Sequence, residues 1–272
     1  MQPQQMASGL QQRIKTAIII GIPILFLVLF NDLTRLIFIG LLVILISYEY
    51  LSLNIGDIKK SPTAILSFII GLITIFAFYN NGDSYGAILA MSVVCNLILI
   101  YDLYYREKSL LQDKPLIFNI FYIVLPLGLL VQHYFKPNFS AILISTLLLI
   151  WVSDIGAYFV GKSTGKRKLF PRVSPGKTWE GFLGAGLLTT LFSYFFFSYF
   201  KIFNIQTWAL IALTVWLFGS IGDLVESKFK RKIGIKDSGN ILPGHGGFLD
   251  RFDGFIFCIP FVLLVIYLFE KI

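Results

Sequence analysis

Long apolar segments are the feature of this sequence that most restricts its fold. A helix needs about 20 mostly apolar residues to cross the hydrocarbon core of a bilayer. Segments of this kind follow one another with short polar connections between them, at residues 16–31, 34–53, 62–80, 85–105, 115–134, 141–160, 181–200, 207–225 and 254–270. We therefore predict an all-α, polytopic integral membrane protein with about nine transmembrane helices.

The composition agrees with this prediction and excludes three other classes of protein. Charged residues make up 14% of the chain and hydrophobic residues 56%, with a mean hydropathy of +0.78. A soluble domain usually has about 25% charged residues, so a cytosolic globular enzyme and a disordered chain are both excluded. Cys95 and Cys258 lie in apolar segments and form no framework of pairs, which excludes a secreted disulfide scaffold.

The distribution of basic residues predicts the orientation of the spans. If the N-terminus is cytosolic, 19 of the 23 Lys and Arg residues fall on the cytosolic side and four on the other. Positively charged loops are retained on the cytosolic side of a membrane. We therefore predict an N-in, C-out protein whose first span is an uncleaved helix. A chain this short is expected in the bacterial cytoplasmic (inner) membrane, with its active site facing the cytosol.

Four acidic residues lie within predicted spans, each near the C-terminal end of an even-numbered span: Glu49, Asp102, Asp154 and Asp223. All four ends face the cytosol in the predicted topology. Ionisable groups at membrane depth are costly and mark a site or a buried pair, unless they lie at the headgroup level and are hydrated. Both interpretations are open for the first two, whereas the sequence around the last two favours a site.

We treat residues 1–272 as a single membrane-embedded domain. The N-terminal helices, residues 1–140, are predicted to be a lipid-facing scaffold. The catalytic part is predicted in residues 141–272, because both sizeable polar segments, the cytosolic loops 161–180 and 226–253, lie there.

The first polar segment offers hydroxyl and ammonium donors beside a span. Gly156–Ser163 satisfies the G-x-x-x-x-G-K-[ST] pattern of a phosphate-binding loop, but such a loop must follow a strand and open a helix. This stretch closes a membrane helix, so we reject the match. Pro175 is expected to mark the start of the next helix, whose N-terminus would favour an anion. The candidate substrate-binding residues here are Ser174, Lys177, Thr178 and Glu180.

The second polar segment combines acidic residues at helical spacing. Asp223, Glu226, Ser227 and Lys230 are spaced i, i+3, i+4 and i+7, so they share one face of a continuing helix. Asp250 and Asp253 lie at the start of the last span. Carboxylates brought together repel one another unless a cation separates them. Oxygen ligands of this kind suit Mg²⁺, which keeps waters and substrate phosphates as its other ligands.

Basic residues and glycines surround these acids. Gly244, Gly246 and Gly247 bracket His245 and permit a tight loop with exposed backbone N–H groups. The positive charge that suits phosphates comes from Lys230, Arg231, Lys236, His245 and Arg251. Acids for a metal, bases for phosphates and a glycine-rich loop together indicate phosphoryl or nucleotidyl transfer.

These residues resemble the signature of the phosphatidate cytidylyltransferase family, also called CDP-diacylglycerol synthases. That signature runs Ser-x-apolar-Lys-Arg, then Lys-Asp, then His-Gly-Gly-apolar-x-Asp-Arg-apolar-Asp. It is met at every defining position by Ser227–Arg231, Lys236–Asp237 and His245–Asp253. The upstream block Ser174–Gly181 also looks like that of the family.

The resemblance implies a nucleotidyltransferase of phospholipid biosynthesis that transfers CMP from CTP to phosphatidic acid. It also implies Mg²⁺ held by Asp223 and Asp250, K⁺ as an optional second cation, and a homodimer in the lipid bilayer. The ionised lipid phosphate is its own nucleophile, so we expect in-line attack on the CTP α-phosphate with catalysis by positioning and charge neutralisation. The expected catalytic residues are Asp223, Asp250, Lys230, Arg231 and His245. The expected substrate-binding residues are Ser174, Lys177, Thr178, Glu180, Ser227, Lys236, Arg251 and Asp253.

Two other functions stay open at this point. A CTP-dependent lipid kinase, such as a polyprenol or phytol kinase, would use the same acids and bases but transfer a phosphoryl group. A secondary transporter would use intramembrane acids for ion coupling, although the internal repeats typical of that class are not visible. No nucleic-acid partner is expected, because the basic residues are dispersed over membrane loops.

Overall fold

Helices dominate the architecture. The computed structural model describes residues 21–54, 60–79, 84–134, 136, 138–239 and 246–270. Residues 21–29 are helical and precede α1 (Asp32–Asn54), α2 (Lys60–Tyr79), α3 (Tyr85–Tyr105), α4 (Leu110–Asp113), α5 (Pro115–His133), α6 (Phe139–Thr164), α7 (Trp179–Phe200), α8 (Ile205–Lys232) and α9 (Leu249–Phe269). Within α5, Asn119–Val124 is π-helical. A two-stranded antiparallel hairpin, β1 (Lys168–Phe170) and β2 (Ser174–Thr178), connects α6 to α7.

The described helices confirm a polytopic α-helical membrane protein. Seven of them, α1, α3 and α5 to α9, are long and apolar enough to cross a membrane. The apolar part of α2, Ile65–Tyr79, is shorter, and the predicted first span 16–31 is described only from residue 21. The number of nine spans and the N-in, C-out orientation therefore stay predictions.

The first polar segment folds differently from the expectation. Residues 161–164 complete α6, and residues 168–178 form the hairpin. Thr178 is the N-cap of α7, since its Oγ1 accepts a hydrogen bond from the Gly181 N–H at 3.2 Å. The predicted helix start at Pro175 is therefore wrong, because that residue lies in β2. Gly156–Ser163 lies wholly within α6, which confirms that it is no phosphate-binding loop.

The second polar segment is shorter than residues 226–253. α8 continues to Lys232 and α9 begins at Leu249, which leaves residues 233–248 between them. We call residues 233–248 the polar loop. The helical spacing of Asp223 and Lys230 is thus confirmed, since both lie on α8.

Glycines bring α8 and α9 into close contact beside the polar loop. A Cβ added at Gly222 would lie 2.5 Å from a side-chain atom of α9, and one at Gly254 would lie 3.0 Å from the carbonyl oxygen of Gly219. Small residues let the backbones of membrane helices approach closely. This contact brings Asp223 and Asp253, the neighbours of two of these glycines, to the same place.

A buried ion pair connects α3 to α8. The Lys228 Nζ lies 2.9 Å from Asp102 Oδ2, and the two side chains are 3% and 1% exposed. The Leu110 N–H also donates to Asp102 Oδ1, at 3.2 Å. This burial excludes the interpretation that Asp102 is a hydrated residue at the headgroup level. Each charge depends on the other, because both have been taken out of water.

We expect Asp102→Asn to destabilise the protein, because the Lys228 ammonium would stay buried without a counter-charge. Removing one partner of a buried pair typically costs about 3–5 kcal/mol of unfolding free energy. Thermal unfolding in detergent measures the change. The control is Asp32→Asn, which breaks the ion pair between Asp32 and Arg35. Because Asp32 is mostly exposed, the loss of this pair should lower the unfolding free energy by at most about 1 kcal/mol. Equal unfolding temperatures for Asp102→Asn and the wild type would contradict this account.

Candidate active site

Three acidic side chains from α8 and α9 converge where the helices meet the polar loop. Carboxylate oxygens of Asp223, Glu226 and Asp253, hereafter the three-acid cluster, all lie within 4.8 Å of one another. Glu226 is fully buried and Asp253 is 9% exposed, whereas Asp223 is partly exposed. Glu226 Oε1 has no hydrogen-bond partner among the described residues. Oxygen ligands with an unsatisfied buried member fit a divalent cation such as Mg²⁺.

Two lysines from different elements compensate these carboxylates. The Lys230 Nζ lies 2.6 Å from Glu226 Oε2. The Lys177 Nζ, on β2, lies 2.5 Å from Asp223 Oδ2 and donates to the Ser220 carbonyl at 3.4 Å. The hairpin thus brings a cation from the first polar segment to the acids of the second.

Asp250 is held by the polar loop and by a lysine. Its Oδ2 accepts hydrogen bonds from the N–H groups of Ser238 at 2.8 Å and Gly247 at 2.7 Å. Its Oδ1 lies 2.5 Å from the Lys230 Nζ, which bridges it to the three-acid cluster. Asp250 therefore lies beside the cluster with both oxygens occupied. Its sharing of a metal ion with Asp223 stays a prediction.

Two cavities share part of their walls at the three-acid cluster. The larger has a volume of about 810 Å³ and the smaller about 360 Å³. Ser153, Asp154, Gly219 and Asp223 line both. The apolar lining of the larger cavity includes Ile22, Leu25, Ile150, Trp151 and Val215, and its polar lining includes Lys230, Asp237, Asp250, Arg251 and Asp253. The smaller cavity is lined by α6, α7, α8 and hairpin residues, among them Tyr158, Lys162, Lys177 and Thr178.

Some predicted substrate-binding residues support the site through other groups. The Ser227 Oγ donates to Asp223 Oδ1 at 3.1 Å and so orients that carboxylate. Thr178 caps α7 and lines the smaller cavity. Glu180 accepts hydrogen bonds from two backbone N–H groups of the turn before β1, at 3.0 and 3.2 Å. It thereby ties the hairpin to the start of α7.

Three other predicted residues line neither cavity. Arg231 is exposed, and its guanidinium donates to the Ile235 carbonyl at 2.9 Å, after the end of α8. Lys236 is exposed and Ser174 begins β2; neither lines the two cavities. His245 lies outside the described residues.

Several acids at the site were given no role from the sequence, among them Glu226 and Glu49. The helical spacing that groups Asp223 with Lys230 also includes Glu226, so the signal was present. Glu49 reaches the site from α1, is 4% exposed, and accepts a hydrogen bond from the Leu249 N–H at 2.8 Å. This burial excludes the hydrated interpretation for Glu49 too. No periodicity connects a residue of α1 to the start of α9.

The comparisons with known proteins identify the family of this chain. The profile of the Cytidylyltransferase family matches residues 11–269. A phosphatidate cytidylyltransferase of Staphylococcus aureus (strain COL) is 36% identical over 259 residues, which cover 93% of this chain and 98% of the relative. The protein of that name from Staphylococcus haemolyticus is 34% identical over 255 residues, 92% of this chain and 95% of the relative. That from Staphylococcus saprophyticus is 35% identical over 262 residues, 93% and 98% of the two chains.

These matches span nearly the whole chain, including the predicted scaffold helices, and confirm the resemblance carried by the motifs of residues 227–253. This chain belongs to the cytidylyltransferase family.

Proposed function

We propose that this chain transfers CMP from CTP to phosphatidic acid, forming CDP-diacylglycerol and pyrophosphate for phospholipid biosynthesis. One observation carries the proposal: Asp223 of the three-acid cluster lines two adjoining cavities, a larger one whose wall includes a run of large apolar side chains and a smaller one that holds Lys162 and Lys177. A lipid phosphate and a nucleoside triphosphate need these two environments at one reaction centre. The names of the staphylococcal relatives support the same reaction.

Each cavity suits one of the two substrates. The apolar wall of the larger cavity, with Leu25 and Trp151, suits the acyl chains. Arg251 and Lys230 line its polar side, where they would attract the lipid phosphate. The smaller cavity is lined by Lys162 of α6 and Lys177 of the hairpin, and these two positive charges suit a triphosphate.

In the proposed reaction the side chains mainly position the substrates and offset their charge. A phosphate oxygen of phosphatidic acid is already ionised at neutral pH, so neither a side-chain nucleophile nor a strong general base is needed. This oxygen forms a bond to the α-phosphorus of CTP while the bond to the departing pyrophosphate breaks. The basic residues hold the two phosphate groups in line and offset the charge repulsion between them.

The carboxylates fit a bound Mg²⁺. Asp223 and Asp250 are the proposed ligands, and the buried oxygens of Glu226 and Asp253 are further candidates. When bound, Mg²⁺ would neutralise charge on the α-phosphate and on the departing pyrophosphate. The two lysines that contact the acids lie where they can also hold phosphates. K⁺ as a second cation and the homodimer stay predictions.

We also propose that the site faces the cytosol of a bacterial cytoplasmic membrane. Glu49 and Asp102, near the C-terminal ends of α1 and α3, contact the polar-loop end of α8 and α9. One end of the bundle thus carries the acids, and most Lys and Arg residues lie in the segments assigned to that side. CTP reaches such a site from the cytosol.

The proposed reaction is tested by following two labels of CTP. Protein purified in detergent is incubated with phosphatidic acid, Mg²⁺ and CTP labelled at the α- or the γ-phosphate. We expect the α-label in the lipid fraction only when Mg²⁺ is present, and no γ-label in that fraction. Lipid labelled from the γ-position alone would instead support the lipid kinase. Absence of lipid label from either position, in folded protein, would overturn the proposal.

Asp223→Asn and Asp250→Asn should each abolish CMP transfer without unfolding the protein, because each removes a charge from the proposed metal site. Transfer rates and thermal unfolding are measured on the same preparations. Asp32→Asn, an exposed aspartate far along the chain from the cluster, should keep its activity. Substantial transfer by both variants would contradict the metal assignment.

Lys177→Gln should lower kcat/KM for CTP, because it removes the cation that contacts Asp223 and lines the smaller cavity. A hydrogen bond to a charged group is worth about 1.5–3 kcal/mol, which corresponds to a loss of about 10- to 150-fold. Lys168→Gln is the matched control, since Lys168 is an exposed residue of the same hairpin that lines neither cavity. Equal losses in the two variants would show that only the general positive charge of the hairpin matters.

A further inference from the structure

We infer that Glu49 of α1 is a positioning residue for the reaction, which holds the Asp250 carboxylate in place by fixing Ser238 of the polar loop and the first residue of α9. This inference rests on the proposed function for the role of Asp250 itself. The contacts of Glu49 that support it, however, are observed whatever the role of Asp250 is. Glu49 lies in the predicted scaffold half.

One carboxylate oxygen of Glu49 contacts both the polar loop and the start of α9. Its Oε2 accepts a hydrogen bond from the Leu249 N–H at 2.8 Å, at the start of α9, and one from the Ser238 Oγ at 3.3 Å. The Ser238 N–H donates to Asp250 Oδ2 at 2.8 Å. Ser238 therefore joins the two carboxylates, its hydroxyl to one and its backbone to the other.

Two glycines of this loop allow its backbone to pack directly on Glu49. A Cβ added at Gly247 would lie 2.5 Å from Glu49 Oε2, and one at Gly239 would lie 2.9 Å from Glu49 Oε1. The carboxylate fills the space that side chains would otherwise take. Gly247 is also the second backbone donor to Asp250, so the segment that packs on Glu49 is the one that orients Asp250.

The energetics of Glu49 favour a functional reason for this acid. It is 4% exposed, and among the described residues no Lys, Arg or His forms an ion pair with it. Its charge is compensated by the Ser238 hydroxyl and by the N-terminus of α9, where a carboxylate is favourable. Burying a carboxylate with so little compensation is costly. A leucine would fill the same volume at lower cost but could not hold the loop.

The contacts of Glu49 affect the proposed reaction centre through Asp250. With Oδ2 fixed by the loop, Asp250 presents Oδ1 to the Lys230 Nζ at 2.5 Å, next to the three-acid cluster. Loss of Glu49 would free Ser238 and the first turn of α9, so the Asp250 carboxylate would turn among several orientations. Partners that orient metal ligands typically contribute 10- to 100-fold to metal affinity or activity.

The test compares Glu49→Ala, Glu49→Gln and Ser238→Ala with a neighbouring control. Tyr50→Phe is that control, because Tyr50 is a buried neighbour on α1 whose hydroxyl donates to the Leu111 carbonyl at 2.5 Å and not to the polar loop. Hydrogen–deuterium exchange without substrates reports the amides of Ser238, Gly247 and Leu249. We expect faster exchange in Glu49→Ala, intermediate exchange in Glu49→Gln, whose amide oxygen can still accept from Leu249, and unchanged exchange in Tyr50→Phe.

Mn²⁺ binding and turnover are measured on the same variants. In Glu49→Ala we expect Mn²⁺ affinity, followed by electron paramagnetic resonance, and kcat for CMP transfer to fall by about 10- to 100-fold, with the KM for CTP unchanged. In Glu49→Gln and Ser238→Ala we expect smaller losses of Mn²⁺ affinity and kcat. These two variants keep the inference testable if Glu49→Ala does not fold.

Two results would overturn the inference, and a third would overturn only the proposed function. Faster loop exchange with unchanged Mn²⁺ affinity and kcat would reduce Glu49 to a structural residue and overturn it. Unchanged exchange in folded Glu49→Ala would also overturn it. If the wild type transfers no CMP, the proposed function fails, while loop exchange and Mn²⁺ affinity still decide whether Glu49 positions Asp250.

Discussion

The close approach of carboxylates between α8 and α9 is the constraint on which the rest of the structure depends. Asp223, Glu226 and Asp253 share a small, largely dehydrated volume, where like charges destabilise the fold unless cations offset them. Glycines along the helix contact make this approach sterically feasible, and lysines from α8 and from the hairpin supply positive charge. A divalent cation would supply the rest, and this requirement is what makes the cluster suited to handling phosphates.

The ends of distant helices are organised around the same place. Asp102 compensates Lys228, two residues after Glu226 of the cluster, and Glu49 accepts a hydrogen bond from the first residue of α9. Asp223 lies on α8 and Asp154 lines both cavities, so all four acids near the ends of even-numbered predicted spans lie at or near the site. The N-terminal helices therefore do more than face lipid, because they supply buried charges that fix the catalytic end of the bundle.

Much of this arrangement could be predicted from the sequence, because a membrane leaves helices as almost the only solution for long apolar segments. Helical spacing placed Asp223 with Lys230, and the motif placed Asp250 at the start of the last span. The hairpin could not be predicted, because its strands have only three and five residues. It is this hairpin that brings Lys177 to Asp223. The contact between Glu49 and Ser238 is also beyond sequence patterns, because it depends on how distant helices pack.

The central claim is that carboxylates of α8 and α9 form the metal site at which CMP is transferred. Anomalous diffraction from crystals grown with Mn²⁺ and CTP tests it most directly. The account predicts an Mn²⁺ peak at about 2.1 Å, the distance expected for Mg²⁺ and its oxygen ligands, from a carboxylate oxygen of Asp223 and from at least one acid of α9. A metal bound to the nucleotide alone, or away from Asp223, would contradict it.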